Sequence, residues 1–224
     1  MIRVDRKHRL TTRWTHWVNF PVLFVMVWSG LLIYWAHDVY RVGLSSITLF
    51  HFFPKGFYQS LHIDHRLADG MALHFLFMWF FALNGVAYVI YTLVSGEWRT
   101  MVPDRNSLRD SLQVVLHDLG LSKHCPPEGK YNAAQKIAYT SVVLMGFGSL
   151  LTGLAIYRPT QVSWLTTLLG GYEMARWEHF WLTMGYVAFF VIHVAQVARA
   201  GWNNFRSMVM GYEIVPAGKE AHGD

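Results

Sequence analysis

Two histidines, His179 and His193, stand fourteen positions apart in a twenty-residue run without Asp, Glu, Lys or Arg. At about 100° and about 1.5 Å per helical residue, their side chains return to within about 40° of one face and lie roughly 21 Å apart along the axis. Two more histidines, His16 and His74, fall in apolar runs of the same kind. An imidazole can move a proton or ligate a metal, and inside a bilayer it is costly enough to point to a functional site. A lone intramembrane histidine is also explained by a bond to a headgroup or a neighbouring helix. Two on one face, with counterparts on other helices, favour chemistry.

Four windows position these groups. Trp14–His37, Gly70–Gly96, Ile137–Tyr157 and His179–Ala198 contain no Asp, Glu, Lys or Arg. Each is long enough to cross a hydrocarbon core of about 30 Å as a helix. Fifteen Phe, eleven Tyr and ten Trp crowd these windows and their ends, as interfacial belts do. Fourteen of the nineteen Lys and Arg residues fall in the N-terminal arm, the second connection and the tail. That bias places both termini and the second connection in the cytoplasm. It also accounts for the pI near 9.4 through topology and lipid headgroups, so no nucleic-acid partner is called for. MIRVDRKHRL precedes an apolar run too long for a secretory leader, and no small-x-small cleavage site follows Tyr34-Trp35. The run reads as an uncleaved first helix. The single cysteine, Cys125, falls in the cytoplasmic connection, where it stays a reduced thiol without an intrachain disulfide partner.

Along the chain, Pro21 sits early in the first helix, where a missing N–H is tolerated or bends it mildly. The aromatic outer connection, residues 36–66, holds His37, His51, His62 and His65, read as solvated or interfacial. Its Phe50–Tyr58 stretch reads as lying flat in the interface. The inner connection, residues 96–133, is long for a bundle and contains a short helix around Ser107–Leu119, with His117 and His124 solvated. Ser29-Gly30 through Tyr34 ends the first helix and Thr152-Gly153 through Tyr157 ends the third. This echo reads as small residues that let helices, or a flat macrocycle, approach closely.

Sorted by depth, His16 begins an outward helix and His193 ends an inward one, so both lie near the cytoplasmic side. His74 and His179 begin inward helices and lie near the outer side. Two level pairs, each bridging two helices, suit bis-imidazole ligation of two haems in a bundle core. Zinc or copper sites usually gather three or four ligands, and no carboxylate or thiolate joins either pair. Two filled axial positions favour electron transfer over oxygen chemistry. Arg13 near the inner pair, and Arg66, Arg158 and Arg176 near the outer, could meet haem propionates or simply flank the spans.

Arg13-Trp14-Thr15-His16-Trp17, Leu73-His74-Phe75, the His179/His193 spacing and Asn204–Gly211 together resemble the bacterial dihaem cytochrome b superfamily. It includes formate dehydrogenase gamma subunits, thiosulfate reductase cytochromes b and nickel–iron hydrogenase cytochromes b. The resemblance covers nearly the whole chain. It implies an all-α integral membrane protein, a four-transmembrane-helix bundle holding two b haems, with residues 1–224 forming one cytochrome b domain. The spans fall at about 14–37, 67–95, 134–157 and 178–200, and residues 201–224 form a cytoplasmic tail. It also implies that His16, His74, His179 and His193 ligate the haem irons. Lys130–Lys136 is similar to the formate dehydrogenase gamma motif at a menaquinone pocket, implying quinone contacts from Tyr131, Asn132 and Gln135. Ala134 stands where that motif usually has Gly. Asn132 and Gln135 also have the spacing of a capping box, which would start the third helix in any case.

Function follows from the resemblance. The expectation is an electron-transfer subunit and anchor of a respiratory oxidoreductase complex in the bacterial inner membrane. It would link a periplasmic iron–sulfur subunit, attached to a molybdenum, tungsten or nickel–iron catalytic subunit, to menaquinone or ubiquinone at the cytoplasmic side. Either direction of flow fits, and the subunit has no substrate chemistry of its own beyond the quinone. Two alternatives stand: a self-contained quinol:oxygen or superoxide oxidoreductase, and a haem-free membrane anchor or transporter whose histidines pack or relay protons. The absence of acidic residues inside the spans weakens the relay.

Overall fold

The computed structural model describes residues 2–44, 47–118, 120–123 and 131–216. His124, Cys125, the Pro126-Pro127 pair and Lys130 lie outside the described residues. In chain order the elements are β1 (Ile2–Arg6), α1 (Leu10–Tyr34), β2 (Arg41–Leu44), β3 (Ile47–His51), α2 (Lys55–Ser60), α3 (Leu67–Ser95), α4 (Trp98–Met101) and α5 (Ser107–Asp118). Then come α6 (Ala133–Tyr157), α7 (Ser163–Leu168), α8 (Tyr172–Ala200), α9 (Trp202–Met210) and β4 (Tyr212–Pro216). A single 3-10 turn, Trp35–His37, extends α1. Four helices, α1 with that turn, α3, α6 and α8, are long and apolar enough to cross a membrane. Their surfaces carry exposed Phe24, Leu83, Val94, Phe147, Val191 and Ile192. Water would not tolerate so much apolar surface on four long helices, and lipid does.

The chain divides into two compact units, residues 14–86 and residues 1–13 with 87–224. In the first, α1 and α3 run antiparallel. Asn84 Nδ2 donates to the Thr15 carbonyl at 2.9 Å near one end. Near the other, a Cβ on Gly70 would lie 2.8 Å from Leu32 Cβ and 3.1 Å from the Ser29 carbonyl oxygen, so only glycine permits this approach. Beyond Tyr34 the outer connection is ordered: β2 and β3 form an antiparallel hairpin with a bulge at Val42/Gly43. The Phe50–Tyr58 stretch is the end of this hairpin followed by α2, which turns Tyr58 under α1. There Tyr58, Leu32 and Ile63 form a buried cluster with Trp28 and Phe57 around it. Tyr58 donates to the Leu31 carbonyl at 3.0 Å, and burial, then Tyr34 and Asp38, push its phenol far above its ordinary pKa. His51 meets the Asp38 carbonyl at 2.7 Å.

In the second unit α6 packs along α8. The helix α8 begins at Tyr172, six residues before the span expected from 178, because Gly170 and Gly171, both at positive φ (81° and 99°), turn the chain directly into it. It ends at Gly201 (φ 83°), which separates α8 from α9. Ala155, Leu165 and Ala175 close the corner of α6, α7 and α8. The tail is more structured than a polar extension: β4 pairs antiparallel with β1 from Ile2↔Pro216 to Arg6↔Tyr212. Lys7 bridges Glu213 at 2.7 Å. The short helix expected around Ser107–Leu119 is α5, tied to α8 by Asp118 with Arg199 at 2.6 Å. Just before it, hydrogen bonds from Ser107 and the Asn106 backbone, with Lys136 behind, hold the Asp104 carboxyl below the usual carboxylate range.

Overpacking at a closed helix contact costs about 1–3 kcal/mol. Gly70→Val is therefore expected to lower the apparent melting temperature and folded yield in detergent. Gly56→Ala, where an added Cβ meets nothing within 4 Å, should leave both unchanged.

Candidate functional site

All four intramembrane histidines are partly buried on spanning helices: His16 on α1, His74 on α3, and His179 and His193 on α8. In residues 14–86, α1 and α3 carry His74 opposite Ser29. The Ser29 hydroxyl is fully buried and lies 2.9 Å from His74 Nδ1. It also reaches back to the Met26 carbonyl of its own helix at 3.1 Å. Gly30, the next residue, leaves the ring edge open: a Cβ there would stand 3.7 Å from His74 Cε1.

The other unit repeats this arrangement. On α6 the Thr152 hydroxyl, 2% exposed, lies 2.8 Å from His179 Nδ1 on α8 and donates to the Gly148 carbonyl at 2.8 Å. A Cβ on Gly153 would stand 3.3 Å from His179 Cε1. Each hairpin thus presents one imidazole with its Nδ1 against a buried hydroxyl and a glycine beside its Cε1. The sequence echo reads as small residues that let helices, or a flat macrocycle, approach closely. The hydroxyl was the part that reading missed, and its signal was a Ser and a Thr at matching positions.

Farther along α8, Tyr186 lies midway between His179 and His193 and donates to the Val142 carbonyl of α6 at 3.3 Å. At seven steps from each histidine it shares their stripe, which therefore faces α6. His193 stacks on Phe189, ring centroids 5.6 Å apart and planes 11° apart, and His16 meets Trp17 edge-on at 5.4 Å. Among the described residues no group of three or more His, Cys, Asp or Glu side chains could hold a metal ion.

The arginines expected near propionates differ from one another. Arg13 is anchored within its own unit, bonding the Val209 carbonyl beside Gly211, and its buried Nε has no hydrogen-bond partner. A buried donor without an acceptor is suited to an anion. Arg158 stacks over Tyr157 at 4.6 Å, Arg176 pairs with Glu173 at 3.2 Å, and Arg66 pairs with Asp69 at 2.9 Å.

The expected quinone residues lie at the start of α6. Asn132 and Gln135 form the complete capping box: Asn132 Oδ1 accepts from the Gln135 N–H at 2.9 Å and Gln135 Oε1 from the Asn132 N–H at 3.1 Å. Tyr131 packs edge-on against Tyr139 at 5.2 Å. Burial above all, then Tyr139 and Glu97, push the Tyr131 phenol far above its ordinary pKa. Glu97, which accepts from Tyr91 at 3.3 Å and faces Arg9 at 3.7 Å, was not singled out in the sequence. It lies in a loop between helices and matches no spacing rule.

Four helices long and apolar enough to cross a membrane, three of them carrying imidazoles, suit a multi-pass membrane haem protein. A family model for prokaryotic cytochrome b561 matches residues 7–211, and the chain belongs to that family. It is 32% identical over 187 residues to the Azospira oryzae protein named "Putative protein-methionine-sulfoxide reductase subunit YedZ1", covering 83% of this chain and 87% of that relative. Membership makes the chain a haem b protein that serves electron transport.

Losing a helix cap costs about 1 kcal/mol. Asn132→Ala should lower the melting temperature of the purified protein, and Asn132→Ser, which keeps a capping oxygen, should restore it.

Proposed function

We propose that the chain is a dihaem b-type subunit and membrane anchor that passes electrons between a catalytic partner and quinone. The observation that carries this reading is the repeated support of His74 and His179, each turned by a buried hydroxyl and given room at Cε1 by a glycine. Ring nitrogens held in this way are typical of metal-ligating histidines, whose second nitrogen is nearly always hydrogen-bonded. The residues present fit haem. Imidazoles occur in two depth classes, glycines leave space beside two rings, and the unpartnered Arg13 Nε can receive a propionate.

In this reading His74 and His179 hold one haem and His16 and His193 the other. Arg13, with Arg158 and Arg176 at the opposite side, neutralises propionates. Bound haem b supplies reversible one-electron exchange at its iron. Tyr131, Asn132 and Gln135 border the quinone site, Asn132 and Gln135 offering it their amide groups while their oxygens hold the cap. Both termini face the cytoplasm of a bacterial inner membrane, as the Lys and Arg bias supports. The His74/His179 end then faces a periplasmic iron–sulfur or other redox partner. The relative's name, a reductase subunit, favours electrons running outward from quinol.

The test is a reduced-minus-oxidised spectrum and haem-to-protein ratio for wild type and two variants. The expected result is two b haems, with His193→Ala losing mainly the inner and His74→Ala mainly the outer, each roughly halving the haem content. If each change removed half of both, the pairing is wrong. A properly assembled protein with no b-type bands would refute the haem assignment. Oxidation of quinol by the purified chain alone, with oxygen as acceptor, would favour the self-contained oxidase.

A further inference from the structure

Ser29 and Thr152 do something that close packing does not require. Each hydroxyl has one hydrogen, and each has a carbonyl of its own helix within reach, Met26 at 3.1 Å or Gly148 at 2.8 Å. Such back-bonding is the ordinary fate of a Ser or Thr hydrogen inside a helix. With that hydrogen committed, the oxygen can meet a ring nitrogen only as an acceptor. The nitrogens facing them, His74 Nδ1 at 2.9 Å and His179 Nδ1 at 2.8 Å, must then carry the proton. In a neutral imidazole this leaves the lone pair on Nε2.

We infer that Ser29 and Thr152 are paired positioning residues that lock His74 and His179 in the Nδ1–H form and thereby set the redox potential of the haem these two histidines hold. The inference rests on the proposed ligand pairing and goes beyond it, since haem binding alone does not require either hydroxyl. A hydroxyl oxygen accepting from Nδ1–H draws positive charge toward that side of the ring and makes Nε2 a stronger donor to iron. Stronger donation favours the oxidised metal. The Met26 and Gly148 carbonyls polarise each hydroxyl and strengthen the effect.

The choice of group also has a physical reason. A carboxylate would accept more strongly and push the ligand toward imidazolate, but it would bury a charge in the hydrocarbon region at several kcal/mol. The spans that carry these residues contain no Asp or Glu in their apolar windows. A hydroxyl whose hydrogen is already bonded to a carbonyl is an acceptor that can be placed there without burying a charge. Both residues are in fact closed to bulk solvent, Ser29 at 0% and Thr152 at 2% exposure.

The experiment is a redox titration of the purified holoprotein, followed at the b-type absorbance bands and by low-temperature electron paramagnetic resonance of the oxidised haems. The variants are Ser29→Ala, Thr152→Val, Ser29→Thr and Thr152→Ser. Ser29→Ala and Thr152→Val should each raise the midpoint potential of the same haem, the one lost in His74→Ala, and leave the other where it was. A shift in the Fe(III)/Fe(II) equilibrium on the order of ten-fold corresponds to about 59 mV for one electron. Ser29→Thr and Thr152→Ser, which keep the hydroxyl, should hold the wild-type potential. Where a hydroxyl-free variant sheds that one haem, retention by its hydroxyl-bearing counterpart supports the same role. Unchanged potentials and signals in both hydroxyl-free variants at full haem content would overturn the inference while leaving the ligand assignment intact. Shifts in two different haems would overturn the pairing. A wild-type protein without two b haems would remove the proposed function itself, a result visible before any variant is made.

Discussion

A ring nitrogen inside a hydrocarbon phase must be hydrogen-bonded or bound to a metal, because no water is there to satisfy it. This constraint organises both units. Where α3 and α8 carry His74 and His179, the facing helix supplies a hydroxyl at 2.9 or 2.8 Å and a glycine one residue later. The hydroxyl requires close helices, and the glycine makes close helices possible. At Gly70, the approach of α3 to α1 is so tight that a Cβ would stand 2.8 Å from Leu32 Cβ and 3.1 Å from the Ser29 carbonyl oxygen. Imidazole geometry and helix packing are therefore one requirement. A change that spreads the helices also loosens the imidazole.

The same logic in two hairpins explains why the chain looks like a repeated unit without reading as one. α1–α3 and α6–α8 share the hydroxyl, the glycine and the histidine, and each hairpin has a second interhelical bond farther along, Asn84 to Thr15 or Tyr186 to Val142. Little else matches. The first hairpin is closed beyond Tyr34 by the Tyr58 cluster, and the second by the α7 corner. What is kept is the part that faces the imidazole, where a misplaced polar atom costs several times what a surface substitution does.

Much of this was legible in the sequence for identifiable reasons. Stretches without charge fixed the four spans, and a capping box fixed the start of α6 at Ala133 with Asn132 as its cap. Such signals are local, and lipid tolerates no alternative for an apolar run of that length. The helix α8 begins at Tyr172, ahead of the span expected from 178, which was bounded by the last charge, Glu178. Charged residues at 173, 176 and 178 sit comfortably in a helix that extends beyond the hydrocarbon. The β1–β4 pair joins segments more than two hundred positions apart, and no local pattern announces such a contact. The hydroxyl partners were hidden for a different reason. A Ser or Thr before Gly in a spanning helix has an ordinary explanation in close packing, and only the position of a ring nitrogen on another helix shows that the oxygen is used.

The terminal sheet bears on the inner side of the reading in a similar way. Arg13 belongs to the first turns of α1, three residues before His16, and its guanidinium bonds the carbonyl of Val209 at the end of α9. Lys7 and His8 donate their backbone N–H groups to the Gly211 carbonyl, at 2.8 and 3.3 Å. Gly211, at φ 90°, is the left-handed residue that ends α9, and a Cβ there would strike Arg13 at 2.8 Å. So the glycine that stops one helix also seats the arginine that starts another. The guanidinium is thus tied to a carbonyl on one side and left with a buried Nε that has no hydrogen-bond partner. A donor so placed is open to an acceptor that the described residues do not supply.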